Sequence, residues 1–505
     1  MACAWSRWWV CLAVLAAAPA AGEPWVNPKA AVGPRASPSR IGGGEGVPPL
    51  PLPATPLRRS EKRRQPAPPA LVGMITFAPA DARLVDGRRA ADETFPTTQI
   101  DIERLLSAAN QALHIQYRYV TASLETFSGD PAELPLLYLT GWTEIPPLSE
   151  ATLGRLRRYL YDGGTLVVHA QCGREAFVQS ARRELGRLLP GRALAAIDTD
   201  SPLFHACTDI ETMRVRKDDG PFRTMPPYLE GICLGCRPAV IFSPIDLSCG
   251  WNVAQRPILG GLLYHQADAT ALGVNIIAVV LANFHYARAF GVQTIYPQQD
   301  DPARDRLVLA QLVHEGDWDP TPHALPNLMK HIQANTELNV QFSRREVRAA
   351  ADELAGHPVL YMTGLRDFTW SDAEVAALRD WLGAGGLLIA DAAAGRRAFD
   401  VAFRREIARV AGDAPLEPIA PDHPLLTMPY AVSAVRLSPL LQTQPGQTAA
   451  PALEGVTLDG RLAVIYSPLS LSNGWEQLAY PYNRGYADHD ALRLGVNLIA
   501  YGLMH

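Results

Sequence analysis

Short apolar runs alternate with segments of helical periodicity along most of this chain. Between Pro135 and Phe177, the run PLLYLTG, a segment with leucines at helical spacing and the run TLVVHA follow one another. Short apolar runs closed by glycine are typical of strands that are buried on both faces of a parallel sheet. The pattern therefore predicts a strand-helix-strand crossover, and such crossovers are almost always right-handed.

The same pattern returns between Pro358 and Phe399, with PVLYMTG, a second helical segment and LLIADA. Ser149 and Ser371 occupy the N-cap positions of the two predicted helices, and a pair of glycines ends each helix. Further segments repeat as well, among them PAVIFSPIDLSCGW with LAVIYSPLSLSNGW and ALGVNIIAVVLA with RLGVNLIAYGLM. An offset of about 222 residues relates these pairs, which indicates duplication of a whole domain rather than a solenoid repeat.

The duplication predicts two α/β domains, over residues 71–290 and 303–505. Each should be a flavodoxin-like three-layer sandwich with a mainly parallel sheet, in which the runs from Leu113 and Leu338 supply further strands. The two domains should superpose along the pairs Gly141/Gly364, Gly164/Gly386, Trp251/Trp475 and Asn275/Asn497. Because the joint from Tyr296 to Pro302 is short and polar, we expect the copies to pack as an intramolecular pseudo-dimer with pseudo-two-fold symmetry.

The first residues have the features of an export signal. Arg7 supplies a positive charge, VCLAVLAAA an apolar core, and Ala18-Pro19-Ala20 a cleavage pattern, so residues 1–21 predict a signal peptide. Residues 22–70 are dense in Pro, Gly and Ala and lack apolar periodicity, which predicts a disordered linker. The mature chain should be periplasmic or extracellular and should carry no transmembrane span.

The overall composition is that of a soluble protein with more than one domain. The chain has 505 residues, of which 48% are hydrophobic and 19% are charged. A net charge of -5 gives no argument for nucleic-acid binding. The sequence has no phosphate loop, Rossmann glycine fingerprint or Ser-His-Asp elbow, and we predict no cofactor.

Several motifs in fixed order carry a resemblance to a known family. They are L-Y-L/M-T-G, a Gly-Gly pair before an apolar strand, G-R-x-A-F, S-P-x-x-L-S-x-G-W and a terminal helix with L-G-V-N. In combination they resemble the bacterial family called domain of unknown function 4159, present here in tandem. That family is similar in fold to class I glutamine amidotransferase-like domains, and its members are often exported or membrane-anchored. The resemblance implies a fold and no particular reaction.

Polar residues at the carboxyl ends of predicted parallel strands mark the expected ligand site in each domain, because open α/β sheets bind ligands there. The candidate ligand-binding residues are Thr140, Gly141 and His169 in the first domain and Thr363, Gly364 and Asp391 in the second. The two S-P-x-x-L-S-x-G-W segments add Asp246, Trp251 and Trp475. A Trp after a glycine turn is, however, more often a packing residue than a recognition residue.

The resemblance also implies a candidate catalytic residue, Cys172. In the amidotransferase-like fold a nucleophilic cysteine occupies a comparable strand-to-helix turn, where a helix N-terminus favours the thiolate. The present sequence departs from that pattern, since Cys172 abuts Gly173, no His-x-Glu follows, and the second copy has Ala394 at this position. The competing interpretation, which we favour, is a small residue that fills a tight turn.

The mature chain has cysteines only in the first domain, at Cys172, Cys207, Cys233, Cys236 and Cys249. Cys233 and Cys236 should flank a hairpin turn, where a local disulfide and two free thiols are both open. A zinc site that adds Cys207, His205 or Cys249 is a weaker interpretation, because these spacings form no second ligand knuckle. We therefore predict no metal.

Two functions remain open. The favoured one is an exported, non-catalytic binding or scaffold protein whose unknown ligand or envelope-protein partner binds at the strand ends. The alternative is a cell-envelope hydrolase or amidase with a thiol nucleophile in the first domain only.

Overall fold

The computed structural model describes residues 67–76, 99–141, 143–251, 261–291, 307–338, 340–341 and 344–504. The predicted signal peptide, almost all of the predicted linker and the joint between the domains lie outside these residues. Within them the chain forms two α/β domains of the same architecture.

The first domain contains ten strands and six helices among the described residues. The strands are β1 (Ala70–Thr76), β2 (Arg118–Ser123), β3 (Leu136–Gly141), β4 (Thr165–Ala170), β5 (Ala195–Ala196), β6 (Met213–Lys217), β7 (Arg223–Met225), β8 (Glu230–Leu234), β9 (Arg237–Ser243) and β10 (Leu262–Tyr264). The helices are α1 (Gln99–Ala112), α2 (Glu150–Tyr161), α3 (Glu175–Leu188), α4 (Pro202–His205), α5 (Ser248–Trp251) and α6 (Gln266–Phe290).

The second domain has a similar order, with a shorter edge strand β12 and an additional short helix α8. Its strands are β11 (Ala310–Leu312), β12 (Arg345–Val347), β13 (Val359–Gly364), β14 (Leu387–Ala392), β15 (Glu417–Pro418), β16 (Val435–Arg436), β17 (Thr448–Ala449), β18 (Glu454–Leu458) and β19 (Arg461–Ser467). Its helices are α7 (Ala324–Asn335), α8 (Ala351–Leu354), α9 (Asp372–Gly383), α10 (Arg397–Ala411), α11 (Ser472–Glu476) and α12 (Asp488–Met504).

Each domain is built on one seven-stranded sheet with the same strand order. The order is β2-β1-β3-β4-β9-β8-β5 in the first domain and β12-β11-β13-β14-β19-β18-β15 in the second. The first five strands of each sheet are parallel and follow the 2-1-3-4-5 order of flavodoxin-like sheets, whereas the last two are antiparallel. The predicted pair of tandem α/β domains with mainly parallel sheets is confirmed.

Helices cover both faces of each sheet and create two cores per domain. In the first domain, Tyr138 points to one face of the sheet, into the core formed with α1 and α6. Its neighbour Leu139 points to the other face, into the core formed with α2 and α3. The second domain has the same two cores. Among the described residues only α6 is long and apolar enough to cross a membrane, and 61% of its most apolar window is buried inside the fold.

The edge strand after α1 begins later than its apolar run predicted. The run starts at Leu113, but β2 starts at Arg118. The Asn110 side chain donates to the Tyr117 carbonyl at 3.0 Å and accepts from its amide at 3.1 Å, so the intervening residues form a closed loop. The second domain differs from the prediction in the same way, because β12 starts at Arg345.

The paired glycines that end α2 and α9 have separate roles. Gly163 and Gly385 adopt φ of +108° and +113°, which L side chains rarely adopt. A Cβ on Gly164 would lie 2.2 Å from the ring of Tyr159, and the second domain repeats this close approach at Gly386. The first glycine therefore turns the chain, and the second makes room for an aromatic ring beneath the turn.

The two domains contact each other through different surfaces. The turn between β8 and β9 lies on the strand ends of the second domain, where Cys236 packs with Ala394 and its Sγ donates to Asn473 Oδ1 at 3.1 Å. The equivalent turn of the second domain, Asp459-Gly460, is exposed. Within the described residues this contact is therefore head-to-tail, because it joins a turn of the first domain to the strand ends of the second.

Candidate functional site: two buried strand-end clusters and an interdomain groove

A buried polar cluster lies at the carboxyl ends of the parallel strands in the second domain. Asp391, on β14, is fully buried. Its carboxylate accepts from Tyr361 Oη at 2.6 Å, from the backbone amides of Leu471 and Ser472 at 2.8 and 2.9 Å, and from Ser472 Oγ at 2.8 Å. Burial raises the pKa of Asp391, and these donors oppose the rise. Thr363 completes the cluster, with its Oγ1 3.4 Å from Ser472 Oγ.

The first domain builds a corresponding cluster around Asp246, which follows β9. Asp246 is fully buried. Its carboxylate accepts from the backbone amide of Cys172 at 2.6 Å, from Ser248 Oγ at 2.9 Å and from the backbone amide of Cys249 at 3.1 Å. One carboxylate thus ties the turn after β4 to the start of α5.

His169 lies beside this carboxylate at the end of β4. Its Nε2 is hydrogen-bonded to Tyr138 Oη, its Nδ1 is 3.4 Å from Thr140 Oγ1, and the same nitrogen is 3.9 Å from Asp246 Oδ1. Burial lowers the pKa of His169 to about 4, while the Asp246 carboxylate acts in the opposite direction. The imidazole is therefore neutral near pH 7, and both of its nitrogens face protein groups.

Each cluster contains one buried carboxylate, but the two domains carry it at different positions of the repeat. His169 of the first domain corresponds to Asp391 of the second, and Asp246 corresponds to Ser470. The backbone amide that Asp246 binds in the first domain has a different partner in the second, where the amide of Ala394 donates to Asn473 Oδ1 at 3.2 Å. The backbone amide of this turn is therefore hydrogen-bonded in both domains, but to different side chains.

The predicted tryptophans and glycines take structural positions in these clusters. The indole Nε1 of Trp251 donates to Ala269 O at 2.9 Å, and that of Trp475 donates to Ala491 O at 2.8 Å, so each indole joins its short helix to the last helix of its domain. A Cβ on Gly364 would lie 2.6 Å from the ring of Phe399. Gly141 ends β3, where it pairs with Ala170 of β4.

Cys172 is buried in the turn after β4, with 5% of its surface exposed. Its φ is 50°, and Ala394 of the second domain adopts 52° at the equivalent position. The Cys172 thiol, the Cys249 thiol and an Asp246 carboxylate oxygen all lie within 4.8 Å of one another. The pKa of Cys249 is raised by its hydrogen bond with the Cys172 thiol, by burial and by the Asp246 carboxylate. These neighbours disfavour a thiolate on Cys249 at neutral pH.

Cys233 and Cys236 are free thiols in this structure. The register of the hairpin places Cys233 opposite Pro238, whereas Cys236 lies in the turn itself. The prediction that both residues flank the turn is therefore corrected for Cys236. Burial raises the pKa of both thiols.

A groove with a cavity volume of about 980 Å³ lies between the two domains. The first domain contributes the loop after β2, the end of α2, the loop after α3, the β8-β9 turn and the end of α6, and the second contributes the segment before α7 and the segment from the end of α11 onward. Five arginines and three carboxylates line it: Arg155, Arg158, Arg192, Arg237, Arg288, Asp130, Asp162 and Glu476. The lining therefore carries an excess of positive charge.

The arginines of the groove differ in how they are engaged. Arg237 donates to Leu160 O at 2.6 Å and to Gly164 O at 2.7 Å, and Arg192 donates to Asp319 O at 3.0 Å. Arg158 and Arg288 are exposed and form no ion pair within the described residues. The guanidinium of Arg288 lies over the ring of Phe284, with its Cζ 5.3 Å from the ring centroid. Both guanidinium groups keep N–H donors that can bind a ligand.

Two buried polar side chains also face the groove without a partner. Asn283, which is 6% exposed, has neither its amide nitrogen nor its amide oxygen hydrogen-bonded within the described part of the chain. The hydroxyl of Tyr480, which is 4% exposed, is also unpaired there. Buried polar atoms are almost always hydrogen-bonded in native proteins. Asn283 and Tyr480 therefore have unmet hydrogen-bonding capacity at the wall of the groove.

Sequence reasoning missed this groove because its lining comes from seven separate segments of two domains. A single signal was available in the repeat itself. Arg158 aligns with Asp380 of the second copy, so the two α/β domains differ in charge at one otherwise matched helix position. The pairing of Cys249 with Cys172 was missed as well, although both cysteines are replaced together in the second copy, by Asn473 and Ala394.

The repeated sheet, the paired glycines and the matched strand-end clusters define a tandem α/β protein with two copies of one domain. The chain belongs to the family described as Domain of unknown function (DUF4159), which matches residues 82–281 and 308–503. These two segments correspond to the two domains of the structure. No curated protein matches the chain.

Several solved structures are similar to parts of this chain at low identity. A ThuA-like protein from Bacteroides uniformis is 12% identical over 41% of this chain and 95% of that chain, with a TM-score of 0.21. Alpha-L-fucosidase isoenzyme 2 from Paenibacillus thiaminolyticus is 15% identical over 44% of this chain and 33% of that chain, with a TM-score of 0.18. An exo-beta-1,4-mannosidase from Opitutaceae bacterium strain TAV5 is 12% identical over 71% of this chain and 59% of that chain, with a TM-score of 0.20. TM-scores this low support no conclusion about this chain.

Proposed function

We propose that this chain is an exported, catalytically silent binding protein that takes an acidic oligosaccharide in the groove between its two domains. The observation that carries the proposal is the combination of unpaired groups at the groove wall. Among the residues that the structure describes, Arg158 and Arg288 are exposed there without an ion pair, and Asn283 and Tyr480 have polar atoms without a hydrogen-bond partner.

The chemistry of these groups fits a sugar that carries carboxylates. A guanidinium group binds a carboxylate through two parallel hydrogen bonds. The Asn283 side chain offers a donor and an acceptor to neighbouring hydroxyls, and Tyr161, which is 65% exposed, offers an aromatic face at the same groove. A neutral sugar would leave the guanidinium groups unused, and a small anion would leave the rest of the groove empty.

The surroundings of the thiols support a silent protein over a thiol hydrolase. An amidotransferase-like enzyme would need an accessible thiolate at Cys172, but the neighbouring Asp246 carboxylate and the Cys249 thiol lie against this buried side chain. His169 has its Nε2 engaged by Tyr138. The second domain forms the same turn with Ala394, so the backbone conformation does not depend on a thiol.

The binding proposal is tested with a fluorescently labelled oligogalacturonate and the neutral sugar cellohexaose, titrated into the purified chain at low and at moderate salt. We expect the uronate to bind and cellohexaose to bind at least tenfold more weakly. Affinity for the uronate should fall as salt screens the exposed guanidinium groups. The double variant Arg158→Glu with Arg288→Glu should bind the uronate at least tenfold more weakly.

Arg223→Glu provides the matched control, because Arg223 is an exposed arginine of β7 that does not line the groove. It changes the net charge by the same amount per residue and should leave binding unchanged. Equal binding by the wild type and the Arg158/Arg288 variant would refute the groove as the site. Equal binding of oligoglutamate and oligogalacturonate would refute the preference for a sugar.

Export is tested separately in the native host. Mass spectrometry of the recovered protein should find a mature N-terminus between residues 19 and 25, because the apolar core and the cleavage pattern end there. Recovery of the chain with Met1 intact would contradict export by this signal.

A further inference from the structure

We propose that Cys172, Cys249 and Asp246 form a binding site for a zinc-like divalent cation in the first domain. The two sulfur atoms and a carboxylate oxygen lie within 4.8 Å of one another. Ligand atoms that share a tetrahedral zinc ion are roughly 3.3–3.8 Å apart, given bond lengths of about 2.0–2.3 Å. Each pair of ligand atoms therefore has to approach by at most about 1.5 Å to reach that spacing.

The surrounding hydrogen bonds orient the carboxylate toward the thiols. Asp246 accepts from the amides of both cysteines, and Ser248 Oγ also donates to it. His169 lies behind Asp246, with its Nδ1 3.9 Å from the carboxylate, as a neutral positioning residue. Partners of this kind hold metal ligands in place in known sites.

The second domain shows that the fold does not need these thiols. Ala394 and Asn473 replace the two cysteines, and the Asn473 side chain accepts the amide hydrogen bond of the turn at 3.2 Å. The two cysteines come from segments 77 residues apart in sequence, Cys172 and Cys249, yet both are present in one copy and both are absent from the other. A shared ligand explains that joint difference directly.

The donor set selects the class of cation. Two thiolates and one carboxylate favour a borderline-soft ion that accepts tetrahedral geometry, whereas magnesium and calcium prefer oxygen ligands. On binding, the two thiols release two protons to solvent and the cation takes their place, so affinity should rise with pH. Cys249 is partly exposed and provides the route of entry.

The test uses the full chain, reduced, freed of metal and then titrated with Zn²⁺, with bound metal counted by mass spectrometry after gel filtration. We expect one tightly bound zinc per chain and, after exchange into Co²⁺, a thiolate-to-cobalt charge-transfer absorption. The double variant Cys172→Ala with Cys249→Asn, which imports the second-domain residues, should lose both. The control Cys233→Thr with Cys236→Gly places the residues of the second-domain hairpin at these positions and should retain the bound zinc and the cobalt absorption.

Alkylation provides a second measurement, which uses only the wild type and so does not depend on whether a variant folds. Bound zinc should protect Cys172 and Cys249 from iodoacetamide and leave the exposed Cys207 reactive. Failure of the reduced wild type to bind zinc, or retention of zinc by the Cys172/Cys249 variant, would overturn the proposal. A Cys172–Cys249 disulfide in protein from the native host would also overturn it, because the pair would then serve as a covalent cross-link.

Discussion

The exchanged carboxylates predict a strong coupling between two positions of the second domain. Asp391→His removes the acceptor of Tyr361 Oη and of the Leu471 and Ser472 amides. Each buried donor left unpaired costs about 1–3 kcal/mol, so we expect a loss of about 4 kcal/mol in the free energy of unfolding. The change alone should therefore be severely destabilising.

Ser470→Asp should be similarly costly by itself, for a different reason. Ser470 Oγ lies 3.3 Å from Asp391 Oδ2. Two carboxylates at that separation repel by about 5 kcal/mol at an effective dielectric constant of about 20, and protonation of one of them relieves only part of this. We expect a loss of about 4 kcal/mol.

The double variant recreates the arrangement that His169 and Asp246 have in the first domain. It again holds a single carboxylate and an imidazole between the same Tyr and Trp neighbours, so we expect a total loss of about 2 kcal/mol. The coupling energy would then be about 6 kcal/mol, about twice the upper end of what neighbouring residues usually show. Urea denaturation of the wild type, both single variants and the double variant, followed by circular dichroism, measures it.

The reciprocal exchange in the first domain, His169→Asp with Asp246→Ser, is the matched control and should behave in the same way. A coupling energy below about 1 kcal/mol in both domains would refute the reasoning. It would mean that the residue pair of one cluster cannot replace the residue pair of the other.

Three further predictions concern single residues. Cys172→Ala in the reduced, metal-free protein should lower the free energy of unfolding, measured by urea denaturation, by at most about 1 kcal/mol, because Ala394 adopts the same backbone conformation. A larger loss would assign the thiol a structural role. Gly164→Ala should cost about 3 kcal/mol, since its Cβ would lie 2.2 Å from the ring of Tyr159, whereas Gly186→Ala, with nothing within 4 Å, should be neutral or stabilising; equal effects would disprove the steric explanation. Burial lowers the pKa of His314 from 6.5 to about 4. Between these pH values the unfolded chain binds a proton at His314 and the folded chain does not. The free energy of unfolding should therefore fall as the pH decreases from 6.5 to 4. The stability difference between the wild type and His314→Gln should therefore shrink by about 3 kcal/mol from pH 7 to pH 4, and a difference that is independent of pH would exclude this effect.

The architecture was predictable because the repeat supplies an internal comparison. Strands buried on both faces give continuous apolar runs, and the glycine pairs mark the helix ends, so β3, β4, β13 and β14 were placed correctly. The edge strand β2 was not, since its apolar run continues through residues that the Asn110 side chain draws into a loop. A tertiary hydrogen bond overrides local strand propensity there.

The candidate site was predictable only in its position at the strand ends. Residue types at Asp246 and Asp391 indicated polar groups near those ends, but not that each carboxylate is enclosed and occupied by protein donors. Enclosure depends on how loops from distant parts of the chain fold over the sheet. The groove depends in addition on the contact between domains, which no local pattern encodes.

The head-to-tail contact joins unlike surfaces of two domains that share one architecture. Repeated contacts between unlike surfaces give a ring if the rotation closes and an open filament if it does not. In the first domain the docking turn carries Gly235 and Cys236, whereas the equivalent turn of the second domain carries the exposed residues Asp459 and Gly460. The second turn therefore presents a negative charge to solvent and lacks the thiol with which the first turn binds Asn473.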